Sequence, residues 1–141
     1  DSCRALGHAW KMKLLLDTCC IIWSISKPEA ISQTAKALLT ADDSEIHVSV
    51  ISVAEIACAV ERGRIIIDRH WKKWFRHYID LNDWQVDSID LDIMEEAYSL
   101  PESFHADPAD RIITATTRLK NYSLLTADRK ILSYPHVNAI W

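Results

Sequence analysis

The chain has 141 residues, 49% of them hydrophobic and 26% charged, a composition that fits one globular domain with a real core and excludes a disordered or low-complexity protein. Its formal net charge of −4 argues against holding nucleic acid by bulk electrostatics, but it leaves room for a local acidic site that recruits divalent cations. No apolar run approaches the roughly 20 residues that a membrane span requires.

The first eleven residues, DSCRALGHAWK, have no periodicity and lack the apolar stretch of a secretory signal. Met12 is therefore expected to be the natural start, residues 1–11 an extraneous upstream leader or added segment, and the protein cytoplasmic. Residues 12–141 are expected to form a single domain. Cys3, Cys19, Cys20 and Cys58 show no CxxC pair or zinc-site spacing, which predicts reduced, mostly buried thiols.

Lys13–Leu16 is a short apolar run suited to a strand buried on both faces, with Asp17 and Thr18 emerging at its C-terminal end. Cys19–Ile25 reads as a short helix broken around Pro28, and Ser32 opens a second helix. Ile46–Val50 is a β-branched strand. Ser52 and Glu55 then have the spacing of a capping box, with Ser52 as N-cap and Glu55 reaching back to the backbone, and Gly63 ends that helix. A further helix is expected from Asp68, with Trp71, Trp74, Phe75 and Tyr78 on one side, as core or as an interface, and Arg69, Lys72, Lys73 and Arg76 on the other.

Trp84–Ile89 alternates as a third strand, and a helix follows through Ile93, Met94, Ala97 and Tyr98. In HADPADRIIT, Asp107 before Pro108 reads as an N-cap with proline at the first helical position, which places Asp110 on the first turn. Ser123–Leu125 is a fourth strand leading into Thr126, Ala127 and Asp128, and residues 137–141 can add a fifth. Strand and helix alternate throughout, so the fold class is α/β: three layers, α/β/α, around a central parallel sheet of four to five strands.

In such a sheet, ligands collect outside the carboxyl ends of the strands. Asp17, Glu55, Asp110 and Asp128 all belong on that rim. A carboxylate pair at about 4 Å costs on the order of 4 kcal/mol at an effective dielectric near 20, whereas a helix cap recovers only about 1 kcal/mol. A hard divalent ion removes the conflict, and an oxygen-only donor set points to Mg²⁺ or Mn²⁺ rather than zinc. An ion held this way suits phosphodiester hydrolysis. His105 reads as a loop residue near the site rather than a ligand. With Gly7 and Gly63 the only glycines, nucleotide binding through a glycine-rich loop is excluded.

The motifs LLLDT, SVAEI, DPADRIITATT and LLTAD, in this order, resemble the PIN domain, specifically the VapC-type toxins of bacterial type II toxin–antitoxin pairs. The resemblance covers residues 12–141. It implies an Mg²⁺- or Mn²⁺-dependent endoribonuclease, usually a homodimer, silenced by a cognate antitoxin and acting on RNA. It maps the catalytic and metal-binding acids onto Asp17, Glu55, Asp110 and Asp128, with Thr18, Asp107 and Thr126 in support. Beyond the resemblance, Arg111 is a candidate phosphate contact, and Ile21, Ile22 and Trp23 with Trp71, Trp74 and Phe75 are candidates for an antitoxin groove. Alternatives left open are a PIN nuclease with a housekeeping role in RNA maturation and a PIN-like scaffold that binds without cutting. A phospho-acceptor receiver domain has the same architecture, but Asp17 is followed by Thr18 rather than a second acid.

Overall fold

In the computed structural model, which describes residues 11–141, Leu14, Leu15 and Leu16 have no solvent exposure at all. They belong to β1 (Met12–Leu16), the central strand of the sheet. Successive side chains of a strand point to opposite faces, so an unbroken apolar run requires helices on both sides. The expectation about residues 1–11 falls almost wholly outside the described residues.

The remaining elements follow in order: α1 (Thr18–Ser26), a 3₁₀ turn (Pro28–Ala30), α2 (Gln33–Thr40), β2 (Ser44–Ser49) and α3 (Ile51–Glu61). Then come α4 (Trp71–Asn82), β3 (Gln85–Asp87), α5 (Leu91–Ala97), α6 (Pro108–Lys120), β4 (Ser123–Leu125), α7 (Arg129–Leu132) and β5 (Ala139–Ile140). Among the described residues the strands form one sheet in the order β3-β2-β1-β4-β5, with every neighbouring pair parallel. The α/β/α architecture read from the alternation is the one found.

Leu14 and Leu16 face one side of the sheet, packed with Val48, Ile21, Trp74, Phe75 and Trp84 under α1, α2 and α4. Leu15 faces the other side, against Ile113, Tyr122, Leu124 and Ile131. Burying one such side chain contributes roughly 1.5 to 3 kcal/mol. Helix α6 is enclosed more fully than a one-sided stripe predicts: every residue from Ile112 to Thr117 is buried, because α5 covers through Ile93 and Ala97 what the sheet does not. The hydroxyls of Thr116 and Thr117 are satisfied by the carbonyls of Ile112 and Ile113, each at 2.8 Å.

Two expectations about helix starts and one about the cysteines are corrected. Helix α3 starts two residues earlier than a capping box allows: Val50, in helical conformation and without a side-chain bond, occupies the N-cap, so Ser52 lies inside the helix. Its far end does close as read. Gly63 at φ +68° sends its N–H to Val60 O (3.0 Å), and Arg64 sends its own to Ala59 O (2.9 Å), a Schellman pairing that needs the left-handed residue glycine supplies. Helix α4 begins at Trp71 rather than Asp68, because the His70 ring caps it by accepting from Lys72 N (3.2 Å). Of the cysteines described, Cys20 is buried as expected, but Cys19 and Cys58 are exposed.

The chain runs outward on one side of β1 through β2 to β3, then crosses to place β4 and β5 on the other side. The crevice at that reversal opens between the carboxyl ends of β1 and β4.

Candidate metal centre

Asp17 is the first residue after β1 and Asp128 the third after β4, so both emerge at the crevice. Each is also a helix N-cap. Asp17 accepts from Cys20 N (2.7 Å) at the head of α1, and Asp128 accepts from Lys130 N (2.8 Å) at the head of α7. Asp107 does the same for α6 through Asp110 N (3.1 Å), followed by Pro108 at the first helical position. Several helix N-termini therefore point at this end of the sheet, and their positive ends partly offset the gathered acids.

Asp17, Glu55, Asp110 and Asp128 line a single cleft of about 340 Å³ together with Thr18, Cys19, Trp23 and Ala127. Asp107 caps α6 from an exposed position outside that lining. Threonines hold the acids in place. Thr126, fully buried, donates its hydroxyl to Asp17 Oδ2 and accepts from Asp128 N (3.1 Å), which links the two strand ends. Thr18 donates to Glu55 Oε1. Since a hydroxyl has one proton, the 2.9 Å contact between Thr18 and the fully buried Ser52 is a donation from Ser52. Ser52 and Glu55 therefore serve Thr18 rather than the backbone of α3, which corrects the capping-box expectation.

The acids are held in their less comfortable form. Burial pushes the Asp17 carboxyl up to about 6, against the bonds from Thr126 and Cys20 and with help from the charges of Asp110 and Asp128. Glu55 is raised by burial and by Asp110, Asp107 and Asp17. Asp110 is also raised, by burial and then by Asp107 and Asp128, while a hydrogen bond from His105 opposes the shift. Among the described residues no lysine or arginine lines the cleft. Such a set of crowded hard oxygen donors fits a divalent ion of the Mg²⁺ or Mn²⁺ kind.

A model of the PIN domain family matches residues 14–137. The chain belongs to the PIN domain family. It is 31% identical over 123 residues to Ribonuclease VapC22 of Mycobacterium tuberculosis, spanning 87% of this chain and 92% of that protein. Solved structures with the same fold include a toxin–antitoxin complex from Klebsiella pneumoniae, with TM-score 0.62 and 21% identity over 91% of this chain and 96% of that one. VapBC from Salmonella typhimurium, solved bound to DNA, gives 0.70 at 15% identity over 92% and 97%. VapBC2 from Rickettsia felis, bound to a promoter DNA fragment, gives 0.68 at 16% over 92% and 99%.

Within the PIN frame, other expected site residues are placed elsewhere. Arg111, a candidate phosphate contact, turns away from the cleft and donates to Ala97 O (3.0 Å) and Phe104 O (2.9 Å), so its guanidinium ties a loop to α6. Ile21 and Trp74 are core residues at 0% and 1% exposure and offer no surface to a partner, whereas Phe75, 5% exposed, adds an edge to the wall of the groove beside Trp71. Ile22 is partly buried against the same cluster. Trp23 is half-buried in the wall of the acidic cleft and packs on Trp141, with ring centroids 5.9 Å apart. Trp71 is half-buried in a separate groove with Val50, Val53, Ile79 and Val86, rimmed by Lys72 and Arg76. His105, read as a loop residue, does lie in a loop, but its Nε2 meets Asp110 Oδ2 at 2.7 Å. No spacing rule reveals that contact; its only sequence signal is a histidine two residues before the DP cap.

Proposed function

We propose that this PIN-domain protein is a metal-dependent endoribonuclease acting as the toxin of a type II toxin–antitoxin pair in the cytoplasm. The observation that carries the reading is the meeting of Asp17, Glu55, Asp110 and Asp128 in one cleft that no lysine or arginine among the described residues lines. The kinship with Ribonuclease VapC22 supports ribonuclease activity, and the fold shared with VapBC complexes supports an antitoxin as partner. RNA as substrate, the homodimer and residues 12–141 as a single nuclease domain rest on the family resemblance. No helix among the described residues is long and apolar enough to cross a membrane.

Asp17, Glu55, Asp110 and Asp128 would hold Mg²⁺ or Mn²⁺. When bound, such an ion supplies Lewis acidity, making water a nucleophile near neutral pH and stabilising charge on phosphate oxygens. The chain's own part is placement. Thr126 and the N–H of Cys20 hold Asp17 in one orientation, Thr18 holds Glu55, and the N-terminus of α7 holds Asp128. Trp23 gives the cleft an aromatic wall on which an unpaired base can stack. The groove beside Trp71, apolar inside and basic at its rim, suits an amphipathic antitoxin helix with acidic flanks.

The test is cleavage of a mixed RNA pool. Cleavage is expected with Mg²⁺ or Mn²⁺, none with chelator, and none from Asp17→Asn at an unchanged fold. Full cleavage in chelator or by the Asp17 variant would overturn the proposal. Metal-dependent cutting confined to precursor RNAs would move the protein to an RNA-maturation role.

A further inference from the structure

The segment between Ala97 and Pro108 is fastened far more heavily than a connecting loop needs. Arg111 donates to the carbonyls of Ala97 and Phe104, and its guanidinium lies over the rings of Tyr98 (5.3 Å) and Phe104 (5.9 Å). Tyr134 donates its hydroxyl to Pro101 O and meets Phe104 edge-on at 5.0 Å. Phe104 in turn stacks on the His105 ring, with centroids 4.5 Å apart and planes 23° from parallel. The product of this bracing is one imidazole fixed against one carboxylate, His105 Nε2 to Asp110 Oδ2 at 2.7 Å. Capping of α6 does not require it, since Asp107 already binds the N–H of Asp110.

A carboxylate can only accept, so Nε2 carries the proton. The bond leaves the second oxygen of Asp110 free, and the ligand atoms of His105, Asp110 and Asp128 all lie within 4.8 Å of one another. We propose that His105 is a positioning residue of the acidic centre: by donating to Asp110 it holds that carboxylate beside Asp128 and sets the affinity with which the cleft takes a divalent ion. The proposal rests on the ion-binding reading of Asp17, Glu55, Asp110 and Asp128. Groups that orient a metal ligand in this way typically change metal affinity about 10- to 100-fold when lost.

Calorimetric titration of the full chain with Mn²⁺ tests it, with unfolding midpoints recorded for each variant. His105→Phe keeps the stack on Phe104 and removes the donor; it is expected to weaken Mn²⁺ binding about 10- to 100-fold. His105→Gln restores an N–H donor at similar reach and is expected to return the affinity to within about threefold of wild type. Equal Mn²⁺ affinity in His105→Phe and wild type overturns the proposal. So does equal weakening in both variants at unchanged midpoints, which would make the imidazole a ligand instead. If wild type takes up no Mn²⁺, the ion-binding reading itself fails and this proposal with it. If wild type binds and Asp17→Asn does not, a silent His105→Phe removes the positioning role alone.

Discussion

Two clusters of buried polar side chains in this molecule have similar ingredients and opposite electrostatics. On the α6 face of the sheet, His47 joins Asp87 (2.8 Å) and Glu45 (2.7 Å), Tyr122 donates to Asp87 (2.7 Å) and stacks on His47 at 4.5 Å, and Lys120 stands 3.6 Å from Asp87. Burial pushes Asp87 up, but bonds from His47 and Tyr122 and the charges of His47 and Lys120 outweigh it and hold the carboxyl below the usual range. For His47, burial acts downward and is outweighed by the bonds to Asp87 and Glu45, so the ring is raised. In the PIN cleft the corresponding balance falls the other way, and Asp17, Glu55 and Asp110 are all raised. Asp17 and Asp87 are equally shielded from solvent, at 8% and 7% exposure, but Asp17 carries the heavier desolvation, and only Asp87 has cationic partners to offset its own. Burial depth and partner charge therefore act together. An acid left so without a cation fits a charge that arrives from outside.

The largest effect that sharpens this contrast is expected from Asp87→Ala. It removes the carboxylate shared by His47, Tyr122 and Lys120, leaving His47 with Glu45 and the Tyr122 hydroxyl with His47, and is expected to lower unfolding free energy by about 3 kcal/mol in urea titrations. A loss below about 1 kcal/mol would mean that the cluster is no more structural than the cleft. The shift of Asp87 has the ordinary sign: its stabilisation is present above the usual carboxylate range and is lost as pH falls through its depressed folded value.

Asp17→Asn is expected to do the reverse. With its carboxyl at about 6 in the fold against an ordinary 3.8, native Asp17 keeps a proton that the unfolded chain has released, so it removes stability as pH rises between those values. Metal-free Asp17→Asn should therefore match wild type near pH 4 and exceed it above pH 6, by up to about 3 kcal/mol. Saturating Mn²⁺ should close that gap by stabilising wild type alone, about 2.7 kcal/mol at a hundredfold excess over Kd. Equal pH profiles for the two proteins would remove the electrostatic argument for the cleft. The smallest change is expected from Ser52→Ala, which deletes one buried donor to Thr18 and costs roughly 0.5 to 1.5 kcal/mol by thermal unfolding.

What the sequence makes legible is local. LLL before Asp17 reads as a strand that must be covered on both faces, and DP before Asp110 reads as a helix head, because each signal is complete within a few residues. The placement of acids after strands follows from sheet topology, and topology follows from alternation. Other features depend on partners far along the chain. SVAE satisfies the spacing of a capping box, yet Ser52 and Glu55 turn to Thr18, 34 and 37 positions away. Arg111 looks like a free cation until its carbonyl partners 14 and 7 residues back are seen. The His47 cluster joins residues 40 and 75 positions apart, and nothing in β2 announces it. Helix α7 spans only Arg129–Leu132, too short to show a period.

The bond from Thr126 to Asp17 spans 109 positions of sequence, so the two are neighbours only because β1 and β4 lie side by side. No excised segment shorter than that interval can carry both banks of the cleft. A protease that severs any loop between them and lets the pieces part abolishes the centre outright instead of trimming it. Proteolysis between the two banks is therefore all-or-none for this centre, one cut sufficing once the pieces separate.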